Sequence, residues 1–320
     1  MMGNEVIKEI VYNVSKVIIG KEFEIYNIIK GIIANGHILI EDVPGVGKTT
    51  LVKALAKSLN LSYKRIQFTP DLLPSDILGI SIYNQKSMEF EFKKGPIFSN
   101  IILADEINRT SPKTQSSLLE VMEERQITEG NDTYRLEEPF IVMATQNPID
   151  YEGTFVLPEA QLDRFMIKVK IGYPEKKFEK EMLNIYSKDE PLDKIKSVAS
   201  GEDILKIQNS VRKIYVSEEI NSYIVNIAEA TRNNKNITLG VSPRASLALL
   251  RIAQAWAFIS GRSYVIPEDV KENIISVLSH RIILSSYGRV NNLTSEEVLK
   301  DIMKLIPVPR VKDEKYDKSK

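Results

Sequence analysis

The stretch Gly36-His37-Ile38-Leu39-Ile40-Glu41-Asp42-Val43-Pro44-Gly45-Val46-Gly47-Lys48-Thr49-Thr50 decides the fold. Residues 38–40 form an apolar run suited to a buried strand. Pro44, Gly45 and Gly47 make a tight turn, and Leu51-Val52-Lys53-Ala54-Leu55-Ala56-Lys57 continues with helical character. Strand, glycine-rich turn and helix in that order are the context of a phosphate-binding loop. Gly45 and Gly47 let backbone N–H groups converge on phosphate oxygens without a Cβ in the way. The helix start adds unpaired donors and a partial positive charge. Lys48 is placed to reach the β- and γ-phosphates, and the Thr49 hydroxyl to ligate Mg²⁺. One position departs from the strict Gly-x4-Gly-Lys-Thr pattern: residue 42 is Asp42, not glycine.

About 55 residues further on stands Ile101-Ile102-Leu103-Ala104-Asp105-Glu106. Four apolar residues ending in two carboxylates describe a central parallel strand whose tip reaches the active-site edge of a sheet. Asp105 can hold Mg²⁺ directly or through water, and Glu106 can orient and polarise an attacking water. A further apolar run, Phe140-Ile141-Val142-Met143-Ala144-Thr145, ends in Gln146-Asn147-Pro148. Asn147 reads either as a turn former before proline or as an amide that senses the γ-phosphate.

Around these elements, residues 4–34 have helical spacing, interrupted at Val17-Ile18-Ile19-Gly20-Lys21. That apolar turn is either a helix connection or a surface for an adenine ring. Alternation about residues 84–87 and about 129–132 signals two hairpins. Leu157-Pro158-Glu159-Ala160-Gln161-Leu162-Asp163-Arg164-Phe165 reads as a short helix opened by Pro158, Val169-Lys170-Ile171 as a last strand, and Gly172-Tyr173-Pro174 as a boundary. Beyond it helical periodicity dominates. The best-formed helix starts at Ser242-Pro243-Arg244 and ends at Ser260-Gly261, with Leu247, Leu250, Ala253, Trp256 and Ala257 on its expected apolar face. Arg244 sits in the first turn, where the helix dipole disfavours a cation; it either pairs with a local carboxylate or meets an anionic partner.

Composition narrows the classes. The chain has 320 residues, 43% of them hydrophobic, with 43 Lys+Arg balanced by 43 Asp+Glu. Zero net charge argues against a broad basic field for nucleic acid. With no cysteine, disulfides and thiolate chemistry are excluded. The two histidines, His37 and His280, share no metal-ligand spacing and read as structural. No apolar run approaches the ~20 residues of a membrane span, and the N-terminus carries no signal-peptide pattern, so a soluble cytoplasmic protein is expected.

Taken together, the chain resembles the MoxR family of AAA+ ATPases from about residue 4 to about residue 310. The resemblance is carried by Glu41-Asp42-Val43-Pro44-Gly45-Val46-Gly47-Lys48-Thr49, Asp105-Glu106-Ile107-Asn108-Arg109, Glu124-Arg125-Gln126-Ile127-Thr128, Ala144-Thr145-Gln146-Asn147-Pro148, the 157–165 segment and Ser242-Pro243-Arg244-Ala245. It implies a three-layer α/β core with a parallel sheet (1–172), an all-helical lid (173–310) and a charged, frayed tail (311–320). It implies ATP and Mg²⁺ as ligands. Pro44, Gly45, Val46, Gly47, Lys48, Thr49 and Thr50 match Walker A, Asp105 with Glu106 match Walker B, Asn147 sensor 1, Arg244 sensor 2 and Arg164 an arginine finger acting on a neighbour's nucleotide. Ile18, Ile19 and Gly20 fall where the family receives adenine. The hairpins match the helix-2 insert and the pre-sensor-1 hairpin. The implied working form is a homo-oligomeric ring, a hexamer, that remodels or activates client proteins. A von Willebrand factor A partner would be a separate chain, since no Asp-x-Ser-x-Ser motif is present. The rival readings are a nucleic-acid motor or loader and the ATPase subunit of a magnesium chelatase.

Overall fold

The computed structural model describes residues 2–130, 132–147 and 155–309. Asn131 in the second hairpin turn, Pro148 and the charged tail 311–320 lie outside the described residues. The chain divides into two compact units, residues 1–208 and 209–320.

The first unit runs α1 (Met2–Ser15), α2 (Glu22–Ile33), β1 (His37–Glu41), α3 (Lys48–Ser58), β2 (Tyr63–Gln67), α4 (Pro74–Leu78), β3 (Gly79–Asn84), β4 (Glu89–Lys94), β5 (Ile101–Asp105), α5 (Pro112–Glu124), β6 (Gln126–Glu129), β7 (Asp132–Arg135), β8 (Ile141–Gln146), α6 (Glu159–Leu162), β9 (Phe165–Val169), α7 (Lys176–Tyr186), α8 (Pro191–Lys194) and α9 (Gly201–Val211), the last crossing the division. Five strands form one sheet in the order β2-β5-β8-β1-β9. Every neighbouring pair is parallel. All five residues of β5 are buried, as are the first five of β8 and the first four of β1. That burial explains their unbroken apolar runs: helices cover both faces of a parallel sheet. Leu39, Ile102, Ala104, Val142 and Ala144 share one core with Leu118, Leu119 and Met122 of α5, each fully buried aliphatic side chain contributing about 1.5–3 kcal/mol. The opposite face meets α2 and α3.

His37 holds two layers together. Its Nδ1 accepts the Val142 N–H at 3.0 Å, so Nε2 carries the proton and donates to the Met122 carbonyl at 2.9 Å. Burial pushes this imidazole down to about 4. It is a structural histidine.

Some boundaries differ from the sequence reading. The last strand of the parallel sheet is β9, not residues 169–171. It begins directly after α6, because Phe165 and Ile167 are the fully buried residues that register with His37 and Ile38. Residues 173–208 pack within the first unit. The Tyr186 hydroxyl donates to the Val17 carbonyl at 3.1 Å, Asn13 Nδ2 to the Lys196 carbonyl at 2.9 Å, and the Val198 N–H to the Ser58 carbonyl at 2.9 Å.

The second unit contains α10 (Glu218–Arg232), β10 (Ile237–Leu239), α11 (Pro243–Ile259), α12 (Pro267–Leu278), β11 (Ile283–Leu284), α13 (Ser286–Val290) and α14 (Ser295–Leu305). It is helical but for the short antiparallel pair β10–β11. Ser242 caps α11 through its hydroxyl, 3.1 Å from the Ala245 N–H, with Pro243 at the first position. The buried face of α11 is Ala245, Ala248, Leu249, Ile252, Ala253, Ala255, Ala257 and Ile259. Of the expected stripe, Ala253 and Ala257 are buried, Leu250 and Trp256 partly so, and Leu247 is half exposed. Arg262 binds the almost wholly buried Asp269 through both guanidinium ends, at 2.5 and 2.7 Å, and Asp269 also accepts the Ile266 N–H at the start of α12.

Candidate nucleotide site

Carboxyl ends of parallel strands gather at one edge of the sheet, and ligand-binding groups collect there. Here β1 delivers Glu41 and Asp42, β2 delivers Gln67, β5 delivers Asp105 and Glu106, and β8 delivers Gln146 and Asn147. Glu41 registers with Gln146, and Gln67 with Asp105.

The turn 42–47 joins β1 to α3. Gly45 and Gly47 take φ of +85° and +86°, a region that costs other L residues dear. Gly47 is the N-cap residue of α3. A Cβ built on Gly45 meets nothing within 4 Å, and one on Gly47 meets only Ile18 Cδ1 at 3.9 Å. Backbone conformation therefore selects glycine there, and the space beside both residues is open. Ile18 is brought against the phosphate loop by the same geometry. Gly20, two residues on, packs under the Phe178 ring of α7, and Lys21 Nζ donates to the carbonyls of Ile171 and Tyr173, the latter at 3.0 Å. Of the three residues 18–20, Ile18 is the one that meets the loop.

Lys48 Nζ donates to the loop's own carbonyls, Asp42 at 2.7 Å and Val43 at 3.1 Å. Burial draws its ammonium below the usual lysine range, and the negative charges of Asp42, Asp105 and Glu106 oppose that. Thr49 and Thr50 follow in the first turn of α3, and Pro44 and Val46 complete the loop.

Asp42 explains its own departure from the glycine pattern. Its buried carboxylate accepts three backbone N–H groups: Val43 at 2.8 Å, Ile171 at 2.7 Å and Gly172 at 2.5 Å. It straps the loop to the segment that follows β9. Sequence reading did not assign it this role.

The carboxylate pair sits in a dense polar network. Asp105 Oδ1 accepts the Thr145 hydroxyl at 2.6 Å, and Oδ2 accepts Arg65 Nε at 2.9 Å and Nη2 at 2.6 Å. Thr145 in turn accepts the Glu106 N–H at 2.8 Å. Glu106 has φ +58°, a left-handed conformation that turns its side chain out of the strand line. Its Oε2 accepts Gln67 Nε2 at 2.8 Å and Arg109 Nη1 at 2.9 Å. Arg65, Gln67 and Arg109 were not singled out from sequence. Strand alternation puts Arg65 and Gln67 on one face of β2, which is the signal that points to them.

Asn147 directly follows β8, beside the start of the loop, where the Asp42 N–H donates to the Gln146 carbonyl at 3.1 Å. Arg164 stands between α6 and β9 and pairs with Glu123 at 3.2 Å. Among the described residues no contact joins Arg164 to Lys48, Thr49, Asp105 or Glu106. Arg244 lies in the first turn of α11, in the second unit, and is exposed. The hairpins form as β3–β4 and β6–β7, and Phe92 of one stacks on Tyr134 of the other at 4.5 Å. Among the described residues no cluster of His, Cys, Asp and Glu makes an all-protein metal cage, and no helix is long and apolar enough to cross a membrane.

Residues 37–167 match the family model of ATPases associated with various cellular activities, and residues 229–302 match the AAA lid domain. Among relatives, the uncharacterized protein YeaC of Bacillus subtilis is 48% identical, covering 93% of each chain. Chaperone MoxR1 of Mycobacterium tuberculosis is 39% identical over 94% of this chain and 82% of its own. A solved structure from Cytophaga hutchinsonii, carrying a provisional ATPase description, is 43% identical with a TM-score of 0.90, covering 97% of this chain and 96% of its own. A parallel five-stranded core with a phosphate loop, a lid domain and full-length similarity to a MoxR chaperone make this chain a member of the MoxR family of AAA+ ATPases.

Proposed function

We propose that the protein hydrolyses ATP with Mg²⁺ and uses the energy to remodel, mature or activate client proteins. The observation that carries this reading is the convergence of an anion cradle, Lys48 and the Asp105–Glu106 pair on one sheet edge. The residues suit Mg²⁺–ATP: an open backbone cradle for phosphate, a hydroxyl at Thr49, and in Asp105 a buried carboxylate whose Oδ1 keeps one lone pair after Thr145 and Arg65 are served. Thr49 and Asp105 would hold the ion. When bound, Mg²⁺ draws charge from the phosphate oxygens.

The chain's own groups do the rest. The loop N–H groups and the α3 N-terminus bind the phosphates. Lys48 exchanges its loop carbonyls for phosphate oxygens. Glu106 leaves Gln67 and Arg109 to orient the attacking water, Asn147 helps place it, and Ile18, Ile19 and Gly20 receive the adenine. Arg244 serves as sensor 2. Arg164 supplies positive charge to a neighbouring subunit's phosphate; such fingers are worth about 10³–10⁵ in rate. This makes the working form a homo-oligomeric ring, most simply a hexamer, in the cytoplasm where ATP is made. Ile82, Tyr83 and Phe90 on the β3–β4 hairpin are exposed apolar groups suited to client contact. A separate von Willebrand factor A protein is the proposed adaptor. Full-length similarity to MoxR proteins supports this reading over a nucleic-acid loader or a chelatase subunit.

Mixing tests it. Arg164→Ala and Glu106→Gln subunits should each be nearly inactive alone. Mixed assemblies should regain part of the activity, because some interfaces pair an intact Glu106 with an intact Arg164. No recovery, with mixing confirmed by mass, contradicts the shared site. Clients should co-purify with the Glu106→Gln protein in ATP and leave in ADP.

A further inference from the structure

We infer that Glu123 is a positioning residue for Arg164, gripping the guanidinium at its Nε side so that the Nη end is presented to the neighbouring subunit's phosphate. The inference rests on the shared-site reading of Arg164.

The base of Arg164 is rigid. Leu157 and Phe165 on either side are buried, and Leu162 packs against the core. Gln161 Nε2 donates to Ser116 Oγ at 3.3 Å, which docks α6 on α5, and the Arg164 N–H donates to the Gln161 carbonyl at 3.2 Å. On α5, Leu118, Leu119, Val121 and Met122 turn inward, which leaves Glu123 on the outer side, facing α6. Its Oε2 lies 3.2 Å from Arg164 Nε.

Both partners are partly solvated, so the pair contributes little to stability. Orientation is a different matter. A guanidinium is a planar fork, and an anion on its Nε edge fixes the plane without occupying the Nη end. A finger that must meet a phosphate in one geometry gains from a side chain already restrained, and a displacement of about 1 Å can cost 10²-fold. Glu123 and Arg164 are then one device, split between α5 and the turn after α6 of the subunit that donates the finger.

Complementation tests the assignment. Glu123→Ala should lower turnover about ten- to a hundredfold with ATP affinity unchanged; Glu123→Arg, which sets a cation beside Arg164, should lower it further, and Glu123→Gln less. Glu123→Arg subunits mixed with Glu106→Gln subunits should regain activity, because the latter supply an intact finger. Glu123→Arg mixed with Arg164→Ala should regain none, because every interface then receives a faulty finger. The reverse pattern would place Glu123 with its own subunit's nucleotide and overturn the inference. So would unchanged turnover in both the Ala and Arg variants, or a loss of assembly in both. The Arg164→Ala and Glu106→Gln mixture runs alongside: its failure removes the shared-site reading, whereas its success with a reversed Glu123 pattern removes Glu123 alone.

Discussion

Oδ2 of Asp42 accepts the Gly172 N–H at 2.5 Å, across 130 residues of chain. The same oxygen takes the Ile171 N–H. Lys21, next to Gly20, grips the adjoining carbonyls of Ile171 and Tyr173. The glycine-rich loop and the turn proposed for adenine are therefore tied to one short segment beyond β9.

Replacing Asp42 by glycine would restore the strict loop pattern. The structure predicts harm rather than improvement. Three backbone N–H groups, one buried and two partly buried, lose their acceptor, and hydrogen bonds to a charged group are worth about 1.5–3 kcal/mol each. Non-additivity reduces the sum, so Asp42→Gly should cost about 2–4 kcal/mol in the urea unfolding of the first unit and weaken ATP binding. Stability and affinity equal to the parent would show that the strap has no role.

Gly47→Ala puts a side chain at φ +86°. That conformation costs about 1–2 kcal/mol for an L residue. The new methyl group meets no protein atom closer than 3.9 Å, so it projects into the anion cradle. Calorimetry should show a small loss of melting temperature and a large loss of ATP affinity. A variant that melts early yet binds ATP normally would separate the loop's shape from its function.

His37 makes stability depend on pH. Its folded value lies at about 4, below the ordinary 6.5. Above 6.5 both states are neutral and its full contribution is present. As pH falls from 6.5 towards 4, the unfolded chain takes up a proton that the folded chain refuses, and stability drops by up to about 3 kcal/mol. Urea midpoints between pH 7 and pH 4 should fall more steeply for the parent than for His37→Gln, which has no proton to gain. Parallel slopes would mean that the buried imidazole does not resist protonation.

The core was legible because its signals are local. Residues 36–50 and 101–106 carry their structural and chemical signals in short unbroken stretches, and the 242–244 cap announces α11. What was hidden depends on pairing over distance. Nothing near Asp42 foretells Ile171 and Gly172, and nothing near Arg164 foretells Glu123. The α11 face is only partly legible, for a different reason. Its buried stripe is mostly alanine, whose weak hydrophobicity is outweighed in the sequence by Leu247 and Trp256, although small side chains are what allow close helix packing. The last strand was set too late because Phe165, closing the α6 segment, also opens β9.

If Glu106 activates the water for ATP hydrolysis, the steady-state phosphate release of Glu106→Gln reports it. Glutamine keeps the shape and can still bond Gln67 and Arg109, but it has no carboxylate to polarise water. ATP affinity should stay close to the parent's while phosphate release falls about 10²–10⁴-fold. Phosphate release at the parent rate by the glutamine variant would contradict the account.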